Sequence, residues 1–351
     1  MKSILACTLV LIGTQTLSGQ QQQGDAKPKK PYEPPPIFQA QQPIEMTLYA
    51  PFSQLRKDRQ AQTPYRAAYI LYRGDSGDVR VPARVRTRGI YRKKHCDIPP
   101  LLVNFTKDST KKTVFAKNDR LRLTMHCRDT DDYEQYVLQE YNIYRVQRLL
   151  TKYSYDVRLA RVTYVDSDKK DTITTRWAFF QEQDDVFAGR VGAQLVTTQG
   201  AGPADLNPYA SAFFGVWQYF VGNSDFSIRA LHNVVLLFKD DEHIPTARDF
   251  DWSGAVNTRY AVPNPILKTR SVTQRVMRGY CSDPEEYEKV FALFREKKDE
   301  IYALYRDELM APLKPNVVAN TLKYFDEFYE TINDPRTAKR SIVEQCLAGS
   351  S

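Results

Sequence analysis

Residues Gly222–Gly254 read GNSDFSIRALHNVVLLFKDDEHIPTARDFDWSG. An apolar run, Val234–Phe238, precedes the polar tetrad Lys239-Asp240-Asp241-Glu242, and a second strand-like run ends at Arg248. The pattern predicts a β-hairpin turning near Asp241. A hairpin centred there pairs Asn233 with Asp249 across its open end, with Asp225 just before it and Asp251 just after. Three carboxylates and an amide then meet at one end of a small sheet. Oxygen ligands gathered like this suit Mg²⁺ or Mn²⁺. A carboxylate close by could orient a hydroxyl for phosphoryl transfer. Asp and Asn also gather in turns for local hydrogen bonding, and DFDWSG alone reads as a capping turn. The conjunction of both motifs through one hairpin points to chemistry.

Upstream, residues 44–200 read as a strand-rich lobe. Strands are expected over Glu45–Ala50, Ala67–Tyr72, Val79–Arg88, Leu101–Phe105, Arg120–His126, Val157–Val165 and Thr172–Glu182. Asp129–Asp132 offer N-capping acids for a helix over Tyr133–Leu150, where Tyr133, Val137, Glu140 and Tyr144 fall on one stripe. A carboxylate in an apolar stripe calls for a cation. Arg120 or Arg122, on the preceding strand, is the expected partner of Glu140; an ordinary structural ion pair is the plainer reading. Residues 201–351 read as a mainly helical lobe, with helices over Pro208–Val221, Pro284–Leu309, Asn316–Ile332 and Thr337–Leu347 around the hairpin.

The first 19 residues carry one lysine, an apolar run Ile4–Ile12 and then small residues, the pattern of a secretory signal peptide. Residues 20–43, rich in Gln, Pro and Lys, read as a tether. No later stretch is long enough to span a membrane, so the expectation is a secreted, periplasmic or cell-surface protein that is monomeric. Four of the five cysteines lie beyond the leader. An even count in an exported chain implies two disulfides, with Cys96–Cys127 and Cys281–Cys346 favoured because each pair lies within one lobe. The 50 basic and 42 acidic residues leave a net charge of +8. No basic block is dense enough to argue for nucleic acid.

Several words of this sequence resemble the spore-coat CotH kinase family. They are Arg86-Thr87-Arg88-Gly89, Cys96-Asp97-Ile98-Pro99-Pro100, Leu121 to Cys127, Glu140-Tyr141, Asn223-Ser224-Asp225 with His232-Asn233, and Asp249-Phe250-Asp251-Trp252-Ser253-Gly254. The resemblance covers roughly residues 45–280. It implies an α+β, bilobal, protein-kinase-like fold and an exported kinase that moves phosphate from ATP to a hydroxyl of a protein or surface polymer. In that frame Asp225 is the base, and Asn233, Asp249 and Asp251 hold the metal. Arg88 and Gly89 lie over the nucleotide phosphates, Arg122 takes the place of the phosphate-contacting lysine, and Glu140 pairs with it. An inactive nucleotide- or metal-binding module of the cell envelope is the alternative, because arginine and lysine differ in shape and hydration.

Overall fold

Ile44, Met46, Leu48 and Ala50 are buried while the residues between them face outward, the two-residue period of a strand with one face on a core. The computed structural model describes residues 32–348 and makes this strand the seam of a barrel. Its strands are β1 (Ile44–Ala50), β2 (Arg66–Gly74), β3 (Gly77–Thr87), β4 (Leu101–Phe105), β5 (Arg120–Thr124), β6 (Val157–Asp166) and β7 (Asp171–Gln181). They close in the order β1-β2-β3-β4-β5-β7-β6. Six pairings are antiparallel, and β6 returns to β1 in parallel, Ile44 beside Ala160 and Ala50 beside Asp166. Ile70, Val81, Val103, Leu121, Val162 and Phe180 fill the interior without exposure.

The expected bilobal, protein-kinase-like fold is therefore corrected. The strands close into a seven-stranded mixed barrel, and from Pro34 onward the chain packs as one unit. The physical reason is β1, which hydrogen-bonds along both edges and leaves the sheet without a free one.

Ten α-helices occur among the described residues. Four are single turns or little more: α1 (Pro36–Gln39), α2 (Phe52–Leu55), α3 (Tyr91–His95) and α4 (Lys107–Thr110). The others are α5 (Asp131–Leu150), α6 (Asp184–Arg190), α7 (Pro208–Val221), α8 (Pro284–Leu304), α9 (Pro315–Asn333) and α10 (Pro335–Ser341). Helix α5 begins at Thr130 with Asp131, Asp132 and Glu134 in its first turn, where carboxylates complement the helix dipole. It is buried on most of its circumference because β7 covers one side and α8 another. Helix α7 is capped by Asn207, whose side chain accepts from the Ala210 amide at 2.8 Å, and ends on Gly222 in the left-handed region at φ +66°. A second sheet runs β10 (Glu242–Ala247), β9 (Val234–Lys239), β8 (Gln194–Val196).

The signal peptide expected over 1–19 and the tether over 20–31 lie outside the described residues. In the rest of the expected tether, α1 buries Ile37 completely, and the Arg158 guanidinium donates to the carbonyls of Ile37 and Ala40. Within the described residues the chain is thus packed on the barrel already at α1, ahead of the expected Ile44. The disulfides are Cys96–Cys127 and Cys281–Cys346, the favoured pairing. They close loops of 31 and 65 residues, and each contributes roughly 3–4 kcal/mol in the chain-entropy view. Among the described residues no helix is long and apolar enough to cross a membrane.

Candidate functional site

The β9–β10 hairpin turns through Asp240 and Asp241, both at positive φ (+53° and +63°), as a two-residue primed turn requires. Val234 stands opposite Ala247, so Asn233 faces Arg248 and not Asp249. The Arg248 amide donates to the Asn233 carbonyl at 3.1 Å. The expected Asn233–Asp249 pairing is thus wrong by one residue. Asn233 and Asp249 themselves adopt left-handed backbone, φ +52° and +63°, at the open end of the hairpin. Asn and Asp tolerate that region better than other non-glycine residues, and the two kinks divide the end of the sheet into two centres.

The first centre is Asp225. Its Oδ2 accepts from Asn233 Nδ2 at 3.0 Å, and its Oδ1 lies 3.0 Å from His232 Nε2. Asn233 Nδ2 also donates to the Asp225 carbonyl at 2.8 Å. The hydrogen bond to Asp225 raises the His232 pKa, with partial desolvation opposing it. Asn233 Nδ2 is thus committed to Asp225.

The second centre is acidic. Glu140, Asp249 and Asp251 each bring a carboxylate oxygen within 4.8 Å of the others. Arg92, from α3, lies among all three: Nη1 to Glu140 Oε2 at 3.1 Å, Nη2 to Asp249 Oδ1 at 2.8 Å, and Nε to Asp251 Oδ2 at 3.3 Å. Burial works against the Arg92 charge, but Asp251, Glu140 and Asp249 outweigh it and raise its pKa. One guanidinium does not balance three carboxylates, two of them, Glu140 and Asp251, buried. Burial pushes Asp251 well above the usual carboxylate range; Arg92 opposes this, while the charges of Asp249 and Glu140 add to it. Glu140 rises for the same first cause, against the pull of Arg92. Asp251 Oδ2 accepts from Tyr260 Oη at 2.9 Å, and Tyr144 Oη accepts from the Asp249 amide at 2.9 Å. The donor set, hard oxygens short of positive charge, fits Mg²⁺ or Mn²⁺.

The partner expected for Glu140 is also corrected. Arg122 pairs with Asp184 at 2.8 Å and donates to the Glu182 carbonyl at 3.0 Å, while Arg120 meets Asp185 at 3.4 Å. These arginines point to α6 because β5 lies next to β7, whose end leads into that helix. The residue that does meet Glu140, Arg92 on α3, is joined to it by no local spacing in the sequence.

Both centres open into one cleft of about 530 Å³, which Arg88, Gly89, Tyr91, Arg122, Arg248 and Trp252 also line. The chain turns at Gly89 with φ +85°, a conformation that glycine adopts without strain. Arg122 and Arg248 share Asp184 as counter-ion. Arg88 differs from them. Among the described residues no acceptor reaches its partly buried guanidinium. Withdrawal from water, together with the like charges of Arg122 and Arg92, lowers its pKa to about 10 against the pull of Asp249.

Of the expected site residues, Arg88, Gly89, Arg122, Glu140, Asp225, Asn233, Asp249 and Asp251 all line this cleft. The sequence reading did not supply His232 as a partner of Asp225, Arg92 as the centre of the acidic group, or Tyr144 and Tyr260 as its supports. No family model matches the chain, and no curated protein matches it closely enough to count as a relative.

Proposed function

We propose that the protein binds a nucleoside triphosphate in this cleft and transfers its terminal phosphoryl group to a hydroxyl. The observation that carries the reading is Arg88, a partly buried cation that no hydrogen-bond acceptor reaches, in the same cleft as a carboxylate held by a histidine and an amide. A desolvated arginine beside two further arginines lacks an anion, and the planar guanidinium fork matches phosphate. Asp225 accepts the proton of the acceptor hydroxyl. The hydroxyl oxygen bonds to the terminal phosphorus, the bond to the bridging oxygen breaks, and the nucleoside diphosphate leaves with that electron pair. Arg88 and Arg122 take up charge on the phosphate oxygens. Glu140, Asp249 and Asp251 would hold Mg²⁺ or Mn²⁺, which when bound neutralises phosphate charge. Secretion to a protein or surface-polymer substrate belongs to the same proposal; disulfides suit an oxidising compartment.

Binding without turnover is favoured by one specific feature: both carboxylate oxygens of Asp225 are already engaged. Calorimetry with ATP and Mg²⁺ or Mn²⁺, paired with an ADP-release assay, separates the readings. Arg88→Ala is expected to weaken ATP binding by about 10- to 100-fold, the worth of a charge-assisted hydrogen bond. Asp225→Asn is expected to keep binding and abolish ADP release. Binding by wild type with no ADP release under any acceptor would select the inactive module. Absence of binding with either metal would end both.

A further inference from the structure

Strand β3 reads GDVRVPARVRT, with Val81, Ala83 and Val85 in the barrel interior and Arg80, Pro82, Arg84 and Arg86 on its outward side. Outward residues of a strand recur every ~6.6 Å, so the three arginines form a row. Two residues past Arg86, Arg88 lies in the cleft. Across the sheet Arg86 stands opposite Leu102, and Leu102 opposite Arg122, which also lines the cleft. The row therefore runs into the cleft both along its strand and across it. Among the described residues none of the three arginines meets a carboxylate. Arg80 lies over the Tyr69 ring at 3.9 Å, and Arg86 and Arg84 over the Tyr65 ring at 4.7 and 5.4 Å. Arg84 Nη2 donates to Asn104 Oδ1 at 2.8 Å. Asp78 is taken by Arg73, and Asp58 by Arg66. Stacking on a ring orders a guanidinium and leaves its N–H edge for a carboxylate fork, so binding costs less side-chain entropy.

A row of ordered, unpaired cations calls for an anionic chain, and its pitch selects the class. An extended polypeptide has the same repeat as β3, so carboxylates on alternate residues meet successive outward positions. Single-stranded nucleic acid needs open aromatic faces for its bases. Here the Tyr69 ring is engaged by Tyr49 at 4.3 Å and by Arg80, and the Tyr65 ring by Arg86 and Arg84. We propose that the outward face of β3 binds an acidic polypeptide in extended form and leads it into the cleft. Its carboxylates accept from Arg80, Arg84 and Arg86, and the residue opposite Pro82 needs no charge. A serine or threonine beyond the last carboxylate then enters the cleft beside Arg88. Its role as phosphoryl acceptor rests on the reading given above for the cleft; binding along β3 does not.

The test uses the full chain and fluorescein-labelled peptides of about twelve residues, long enough to run from Arg80 into the cleft. The probe alternates glutamate with alanine and ends in serine. Fluorescence anisotropy is expected to show binding of this peptide and none of its lysine counterpart. The same glutamates gathered in one block should bind at least about threefold weaker, because half of them face away from the row. Arg80→Gln, Arg84→Gln and Arg86→Gln together are expected to weaken the alternating peptide roughly tenfold, the worth of three exposed ion pairs. The same three positions changed to glutamate should switch the preference to the lysine peptide, which a folding defect would not produce. Benzophenone beside the serine, in peptides carrying serine at either end, is expected to crosslink to the cleft lining from one of them. Binding that survives the glutamine changes, equal binding of block and alternating peptides, tighter binding of single-stranded DNA of equal charge, or crosslinks from neither end would overturn the proposal. No readout needs ATP. Peptide binding without ATP binding would end the cleft reading alone, and ATP binding without peptide binding would end this one alone.

Discussion

His126 follows β5 and is fully buried, its ring 5.3 Å from that of Tyr164, with neither nitrogen hydrogen-bonded. Burial drives its pKa down to about 4; Asp129 opposes this, and Arg176 and Arg56 add to it. The unfolded chain binds the proton with a pKa of about 6.5, so between those values it holds more protons than the folded one. Stability is complete above about 6.5 and is lost as pH falls toward 4. Between pH 7 and 5 this single group accounts for about 2 kcal/mol. Urea denaturation of wild type and His126→Phe at both pH values checks it: wild type should lose about 2 kcal/mol more than the variant, and parallel losses would disprove the assignment. Residue-scale features differ in how far a linear sequence displays them. Asp225, Asp249 and Asp251 were legible because their motifs flank one hairpin. Arg92 was not, because it answers carboxylates on α5 and after β10 that no local spacing connects to it.

At the scale of elements, caps and turns explain what could be read. The acids before Tyr133 announced α5, and Pro208 with Gly222 bounded α7 to the residue. The hairpin was read one residue out of register because the tetrad Lys-Asp-Asp-Glu contains no glycine to mark which two residues take positive φ. A slip of one exchanges the faces of a strand, and here it exchanged the neighbour of Asn233. Gly222 carries a second demand besides its φ. A Cβ there would collide with Tyr324 Oη, and a Cβ on Gly254 would meet the same atom. The Gly254 amide donates to the Gly222 carbonyl at 2.9 Å, so α7 and the segment after the hairpin meet at a point with no room for a methyl group. Gly222→Ala is expected to cost about 2–4 kcal/mol, left-handed strain plus overpacking. Adding Tyr324→Phe, whose hydroxyl has no partner, should recover the steric part and leave the backbone part. A double variant no more stable than Gly222→Ala in guanidinium would refute the collision.

At the scale of the molecule, individual strands were visible in the sequence and their closure was not. Alternation reveals which face of Ile44–Ala50 is buried; it carries no sign that the far edge of that strand belongs to Val157–Asp166. That pairing also fixes the order in which the protein can be completed. The seam strand is the earliest of the seven to leave the ribosome, yet one of its two neighbours is among the last. Until β6 exists, an apolar strand edge waits unpaired, the kind of non-local parallel contact that folds slowly and invites mispairing. A chain starting at Pro51 should consequently lack a cooperative unfolding transition, and a synthetic peptide of residues 34–50 supplied in trans should restore it. If the shortened chain unfolded as sharply as the whole, the seam would not govern assembly. A protein built this way is finished only when its beginning meets its middle, and anything that holds the early strand open until then acts as its chaperone.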